Sequence, residues 1–176
     1  MRDPLRNTDC MIAVRLANDS DGPALARIDL ATWTPAVSPA PAPVDADTYQ
    51  FFDDRTVPGN VLVAEVNGDV AGWVTVQSPT PLLSHAHVLE ISGLAVDPTH
   101  QGAGVGQRLV EAAVQECSRR GARKVTLRVL GPNTAARRLY GRCGFQAEGV
   151  LRDEFMLQGR YVDDVLMARH LVAPVR

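Results

Sequence analysis

Cysteine is scarce: Cys10, Cys117 and Cys143 are widely separated, odd in number and never form a C-x-x-C pair. They suit free thiols in a reducing compartment rather than a disulfide framework. No apolar run approaches the roughly 18 residues that a membrane span requires. The opening MRDPLRNTDC is too polar for a signal peptide, so the expected location is the cytoplasm, with no membrane partner. Charge of one sign is not concentrated anywhere. The 18 basic and 20 acidic residues are mixed along the chain and leave a net charge of -2, which argues against a dedicated binder of nucleic acid or membrane surfaces.

What is present is enough apolar sequence for one core. With 45% hydrophobic and 22% charged residues over 176 positions, a single domain is expected over 11–176, preceded by a disordered extension at 1–10. The run MIAVRL (11–16) reads as a strand, and a helix follows, with Asp19 or Ser20 as its cap, Pro23 in its first turn and Leu25, Ile28 and Ala31 at helical spacing. Four prolines at positions 35–43 rule out helix, so TPAVSPAPAPVD reads as an extended loop; a short helix is expected near ADTYQFFDDR (46–55). Asn67-Gly68 between two β-type runs signals a hairpin. HVLEISGLAVDP (87–98) reads as a strand, Gly104–Arg120 as an amphipathic helix ended by Gly121, and KVTLRVL as a strand. NTAARRLYGRC follows as a helix capped by Asn133, with FQAEGVL and YVDDVLMARHL as closing strands. The order, β-α-α-β-β-β-α-β-α-β-β, implies an α/β (α+β) mixed sheet with helices on its faces.

The stretch HQGAGVGQRL (100–109) places three glycines at a strand-to-helix junction, where backbone amides can converge on an anion. The nucleotide P-loop is excluded because the fifth residue after Gly102 is Gln107 and no lysine follows any of these glycines. The dinucleotide fingerprint also fails, since Gly102 and Gly104 would require a glycine at 107. The lesser reading of the glycines taken alone is tight packing of a helix on a strand.

The remaining spacing, Gln101-x-x-Gly104-x-Gly106 after the strand ISGLAVDP, resembles the acyl-CoA pyrophosphate loop of the GNAT superfamily of N-acyltransferases. Downstream, Asn133, Tyr140 and Gly144-Phe145 stand where that family carries N-x6-Y-x3-GF, and the closing strands resemble bacterial acetyltransferases of the ribosomal-protein and phosphinothricin type. The resemblance runs from residue 11 to about 171 and is weakest over 34–60. It implies the GNAT fold, with about seven strands and about four helices. It also implies acetyl-CoA as co-substrate, no metal, and an amine acceptor that is a small molecule or a protein N-terminus, reached by direct attack in a ternary complex. Dimers are common in the family, so a homodimer is compatible.

Carried over by position, the Leu94 backbone N–H would face the thioester carbonyl, and Ala95 and Val96 would hold the pantetheine arm. The amides of Gln101, Gly102, Ala103, Gly104, Val105, Gly106 and Gln107 would wrap the pyrophosphate, with Asn133, Ala136 and Tyr140 completing the cofactor side. Arg108, Arg137 and Arg138 compete for the ribose phosphate. Tyr140 matches the family's proton donor to the thiolate, and Glu90 stands where some members carry a glutamate base. Tyr140 read without the motif is a packing residue, and Glu90 a solvated strand residue.

His85 and His87 lack a third ligand and read as surface residues on the face opposite Glu90. Trp33 and Trp73 read as core or pocket wall, and Asp53-Asp54 and Asp163-Asp164 as exposed turns, with Asp53 or Asp54 better placed to meet a cationic acceptor. The alternative function is a non-catalytic acyl-CoA sensor or partner-binding module on the same fold, which would need neither Glu90 nor Tyr140. A nucleotide-binding domain is a third reading that the glycine spacing disfavours.

Overall fold

The computed structural model describes residues 11–42 and 48–171. The extension at 1–10 and the acidic end of the proline-rich loop lie outside these residues. One seven-stranded sheet organises the chain: β1 (Ile12–Leu16), β2 (Val61–Val66), β3 (Asp69–Gln77), β4 (Val88–Val96), β5 (Lys124–Leu130), β6 (Gln146–Leu157) and β7 (Arg160–His170). Their spatial order is β1-β2-β3-β4-β5-β7-β6, and only the β4–β5 pair is parallel. Three α-helices stand among the described residues: α1 (Gly22–Thr32), α2 (Val105–Arg119) and α3 (Thr134–Arg142). The helix expected near 46–55 does not form over its described part, residues 48–55, which are turns and bends. There the side chains anchor to the domain instead: the Tyr49 hydroxyl donates to Asp29 at 2.5 Å and the Phe51 ring meets Trp73 edge-on at 4.8 Å.

The elements form where local chemistry directs them. Asn67 and Gly68 both adopt positive φ (54° and 93°), as the two-residue turn between β2 and β3 requires. Gln158 and Gly159 do the same (50° and 74°), so β6 and β7 make one long hairpin, and β6 runs well past its expected end at Leu151. Helix α2 buries Val105, Leu109, Val110, Ala113, Val114 and Cys117 against one sheet face, in the main core with β5 and α3. On the other face, Leu25, Ala26 and Ile28 of α1 form a second core with Val61, Val63, Trp73 and Ala95.

Candidate functional site

The centre of the sheet carries an irregularity. Thr75 pairs with Gly93 and Val76 with Ile91, so Ser92 is an extra residue, a bulge in β4. The bulge has two consequences. First, side chains three apart in β4 would otherwise alternate faces, but the extra residue puts Glu90 on the same face as Gly93 and Ala95, the α1 side. Second, the β4–β5 ladder stops there: pairing runs from Val88–Lys124 to Ile91–Leu127 and no further. Beyond it, β4 continues to Val96 paired with β3 alone, while β5 continues to Leu130 paired with β7. The two strands therefore bound a wedge with Leu94, Ala95 and Val96 on one side, a strand edge able to pair with an extended amide-bearing chain.

At the open end of the wedge the chain turns sharply. Asp97 accepts from the Thr99 amide (2.9 Å) and hydroxyl (2.6 Å) and from Arg27 of α1 (2.7 Å), which holds its carboxyl far below the usual range. Gln101 donates from its side-chain amide to the Val96 carbonyl at 3.1 Å, tying the loop back to β4. Gly102 and Gly104 then adopt φ of 79° and 87°, a conformation that L side chains resist, and a Cβ at either would meet nothing within 4 Å. Arg108 N donates to Gly104 O in the first turn of the helix, so the amides of Val105, Gly106 and Gln107 precede the intrahelical ladder. Gly106 plays a different part: a Cβ there would lie 3.2 Å from Leu139 and 3.6 Å from Val96, so it permits α2 to approach α3 and β4 closely. The loop is thus an open, amide-lined helix N-terminus suited to a phosphate group.

On the α3 side, Asn133 caps the helix by accepting from the Ala136 amide at 3.1 Å, so that amide is already engaged by the protein. Tyr140 is buried, its ring edge-on to Phe145 at 5.9 Å. Burial pushes its hydroxyl up to about 12, so the group stays protonated, and it has no hydrogen-bond partner among the described residues. Glu90 is half-buried between Gln77 of β3 and Thr126 of β5; burial pushes its carboxyl up, against the opposing pull of Arg128 and a hydrogen bond from Gln77. The α1 face of the wedge also carries Trp73, whose ring lies so close that a Cβ on Gly93 would stand 2.8 Å from it.

Other residues sit differently from their sequence reading. Asp164 is not in an exposed turn: it lies within β7 at 2% exposure and accepts from Arg128. Asp163 is likewise in β7 and accepts from Arg152 and the Asp153 amide, because a second bulge displaces residues 152–154 of β6. The pairing of strand-end acids in sequence looked like a turn, and only the hairpin register places them inside a strand. Arg128, which sequence reading did not single out, carried no signal beyond its place in KVTLRVL. His85 closes a short 3-10 turn and His87 precedes β4, so strand alternation does not govern them; their rings are 6.0 Å apart. Asp53 lies in an exposed turn, accepting from the amides of Arg55 and Thr56. Arg108 and Arg138 are exposed and Arg137 donates to Gly131 O, leaving the choice of a phosphate ligand among them open. Cys117 and Cys143 are buried free thiols, Cys117 pushed up to about 11 by burial, and neither is poised as a nucleophile.

Comparison with known proteins agrees with this geometry. The acetyltransferase (GNAT) family matches residues 23–145. The chain is 31% identical over 171 residues to phosphinothricin N-acetyltransferase of Alcaligenes faecalis, covering 93% of this chain and 85% of that one. It is 29% identical over 164 residues to the L-amino acid N-acyltransferase MnaT of Escherichia coli, covering 91% and 94%. Among solved structures, yncA from Salmonella typhimurium with its cofactor acetyl-CoA superposes with a TM-score of 0.76 at 23% identity over 94% of this chain and 97% of that one. With its split β4–β5 edge, its amide-lined loop and the tyrosine on α3, the chain belongs to the acetyltransferase (GNAT) family and is an N-acetyltransferase.

Proposed function

We propose that this enzyme transfers the acetyl group of acetyl-CoA to the primary amine of a small molecule of the amino-acid class. The observation that carries the reading is the wedge itself: an unpaired β4 edge that runs directly into the free amides of the α2 N-terminus. A pantetheine arm pairs with such an edge, and a pyrophosphate needs such amides. The open space beside Gly102 and Gly104 fits the group. Bound there, acetyl-CoA supplies an activated acetyl carbonyl. The amino-acid class rests on the near full-length likeness to an L-amino acid N-acyltransferase and a phosphinothricin N-acetyltransferase.

The chain's own groups divide the work. Glu90, on the acceptor face by virtue of the Ser92 bulge, takes a proton from the ammonium form of the acceptor, directly or through water. The Leu94 amide, next but one to the bulge, stabilises the negative charge that develops on the carbonyl oxygen. As the N–C bond forms and the C–S bond breaks, the Tyr140 hydroxyl delivers a proton to the departing sulfur, and the second proton shed by the attacking nitrogen returns through water to Tyr140. The Asn133 side chain shapes the start of the helix that carries Tyr140. A homodimer and a cytoplasmic location belong to the same reading. The first is supported by the exposed cross-strand pair Met156 and Tyr161 at the far end of the β6–β7 hairpin, the second by the free thiols.

The test is thiol release from acetyl-CoA across a panel of L-amino acids, simple amines and N-terminal peptides, comparing wild type with Tyr140→Phe. At least one amino acid is expected to support turnover, with kcat falling about 100-fold or more in the variant. Tight CoA binding without turnover on any amine would overturn the enzymatic reading.

A further inference from the structure

The row of polar side chains that crosses the α1 face beyond Glu90 points to a residue outside the reacting set. Glu90 pairs with Gln77 on one side and Thr126 on the other, and Arg128 follows Thr126 by two residues, on the same face of β5. The Arg128 guanidinium is clasped from the far side: Nε donates to buried Asp164 of β7, and Nη2 to Glu154 of β6 at 3.2 Å. Glu154 reaches it because the second β6 bulge, with Asp153 at φ 53°, inserts residues 152–154 opposite Asp163. Four strands thus contribute to one charged row: Glu90, Arg128, Asp164 and Glu154. Arg128 is itself a surface arginine, its side chain 47% exposed, but its guanidinium bonds to a carboxylate at 2% exposure, at the cost of burying that charge.

We propose that Arg128 is a positioning residue for the transfer, a clamped positive charge that keeps the half-buried Glu90 ionised and aimed at the acceptor amine. The proposal rests on Glu90 as the base. Arg128 lies on the same face of β5, two residues beyond Thr126, the cross-strand partner of Glu90; the uncharged Gln77 of β3 stands on the other side of Glu90, and Asp164 and Glu154 hold the Arg128 guanidinium. Burial works against the carboxylate and Arg128 works for it, so removing the guanidinium raises the pH at which Glu90 ionises.

The experiment is the pH profile of kcat/KM for an amino-acid acceptor at saturating acetyl-CoA, for wild type, Glu90→Gln, Arg128→Met, Arg128→Lys and Glu154→Gln. The expected results are loss of the acid limb in Glu90→Gln, an upward move of the limb in Arg128→Met, and a limb near wild type in Arg128→Lys. Glu154→Gln leaves the Asp164 clasp in place and removes a competing negative charge from the exposed end, so its limb moves down. That opposite sign also keeps the proposal testable should Arg128→Met fold poorly. An acid limb unmoved in Arg128→Met while Glu90→Gln abolishes it, or one that moves up in Glu154→Gln, overturns the role of Arg128 and leaves the base intact. An acid limb that persists in Glu90→Gln overturns the base, and Arg128's role with it.

Discussion

Replacing Gly104 with alanine separates a glycine kept for a ligand from one kept for packing. Gly104 sits at φ 87° before the first turn of α2, and an added Cβ would touch no atom within 4 Å. The stability cost is therefore conformational alone: about 1–2 kcal/mol for a non-glycine residue in the left-handed region. Roughly 0.5 kcal/mol of this is offset by the reduced freedom of the unfolded chain. A net loss of about 1 kcal/mol lowers Tm by about 2–4 °C in a domain of this size. The methyl group, however, projects into the space where amides 105–107 would receive a phosphate, so CoA affinity should fall by more than that, at least tenfold, or about 1.4 kcal/mol. Thermal denaturation and calorimetric titration with CoA measure the two quantities on one preparation. A variant that loses the expected few degrees yet binds CoA as wild type would refute the phosphate reading of this loop.

Two further predictions concern the frame around the site. Asp97→Ala removes the cap on the turn after β4 and the link to Arg27, and should cost about 2 kcal/mol near pH 7, with the Arg27 part small because that side chain is 59% exposed. The Asp97 carboxyl ionises far below its usual range, held there first by the Thr99 hydroxyl and then by Arg27. Its stabilisation is therefore present above its unfolded value of about 4 and is lost as the pH falls from there. Urea titrations should show the gap between wild type and Asp97→Ala narrowing below pH 4; a constant gap from pH 7 to pH 3 would contradict this. Leu127→Ala, at the closed end of the wedge and 1% exposed, should cost about 3 kcal/mol by chemical denaturation, and a loss under 1 kcal/mol would mean the wedge base is not packed as described.

Much of this protein was legible from short-range patterns, because these are set by neighbours a few residues away. The helical spacing of Val105, Leu109, Ala113 and Cys117, the Asn133 cap, the Asn67-Gly68 turn and the glycine loop each depend on local backbone preferences, and each element stands where those residues place it. The segment after the proline-rich loop misled for the complementary reason. Tyr49 and Phe51 also reach partners far along the chain, Asp29 and Trp73, and those long-range contacts accompany turns over residues 48–55 where a helix was expected. The acid pair Asp163-Asp164 misled likewise, since a charge buried in a strand is tolerable only when an arginine two strands' width of sequence away closes on it.

By itself, then, the sequence determined the strands, the three helices that form, the glycine loop and Tyr140 and Glu90 as candidates. Only the tertiary structure decided that β7 lies between β5 and β6, and that one extra residue, Ser92, sits where the β4–β5 ladder ends and puts Glu90 on the α1 face with Gly93 and Ala95. It also put Arg128 on the same face of the neighbouring strand, two residues past the cross-strand partner of Glu90. The reason is physical: a bulge is a mismatch between two strands, and neither strand's own residues record it until the partner's register is known.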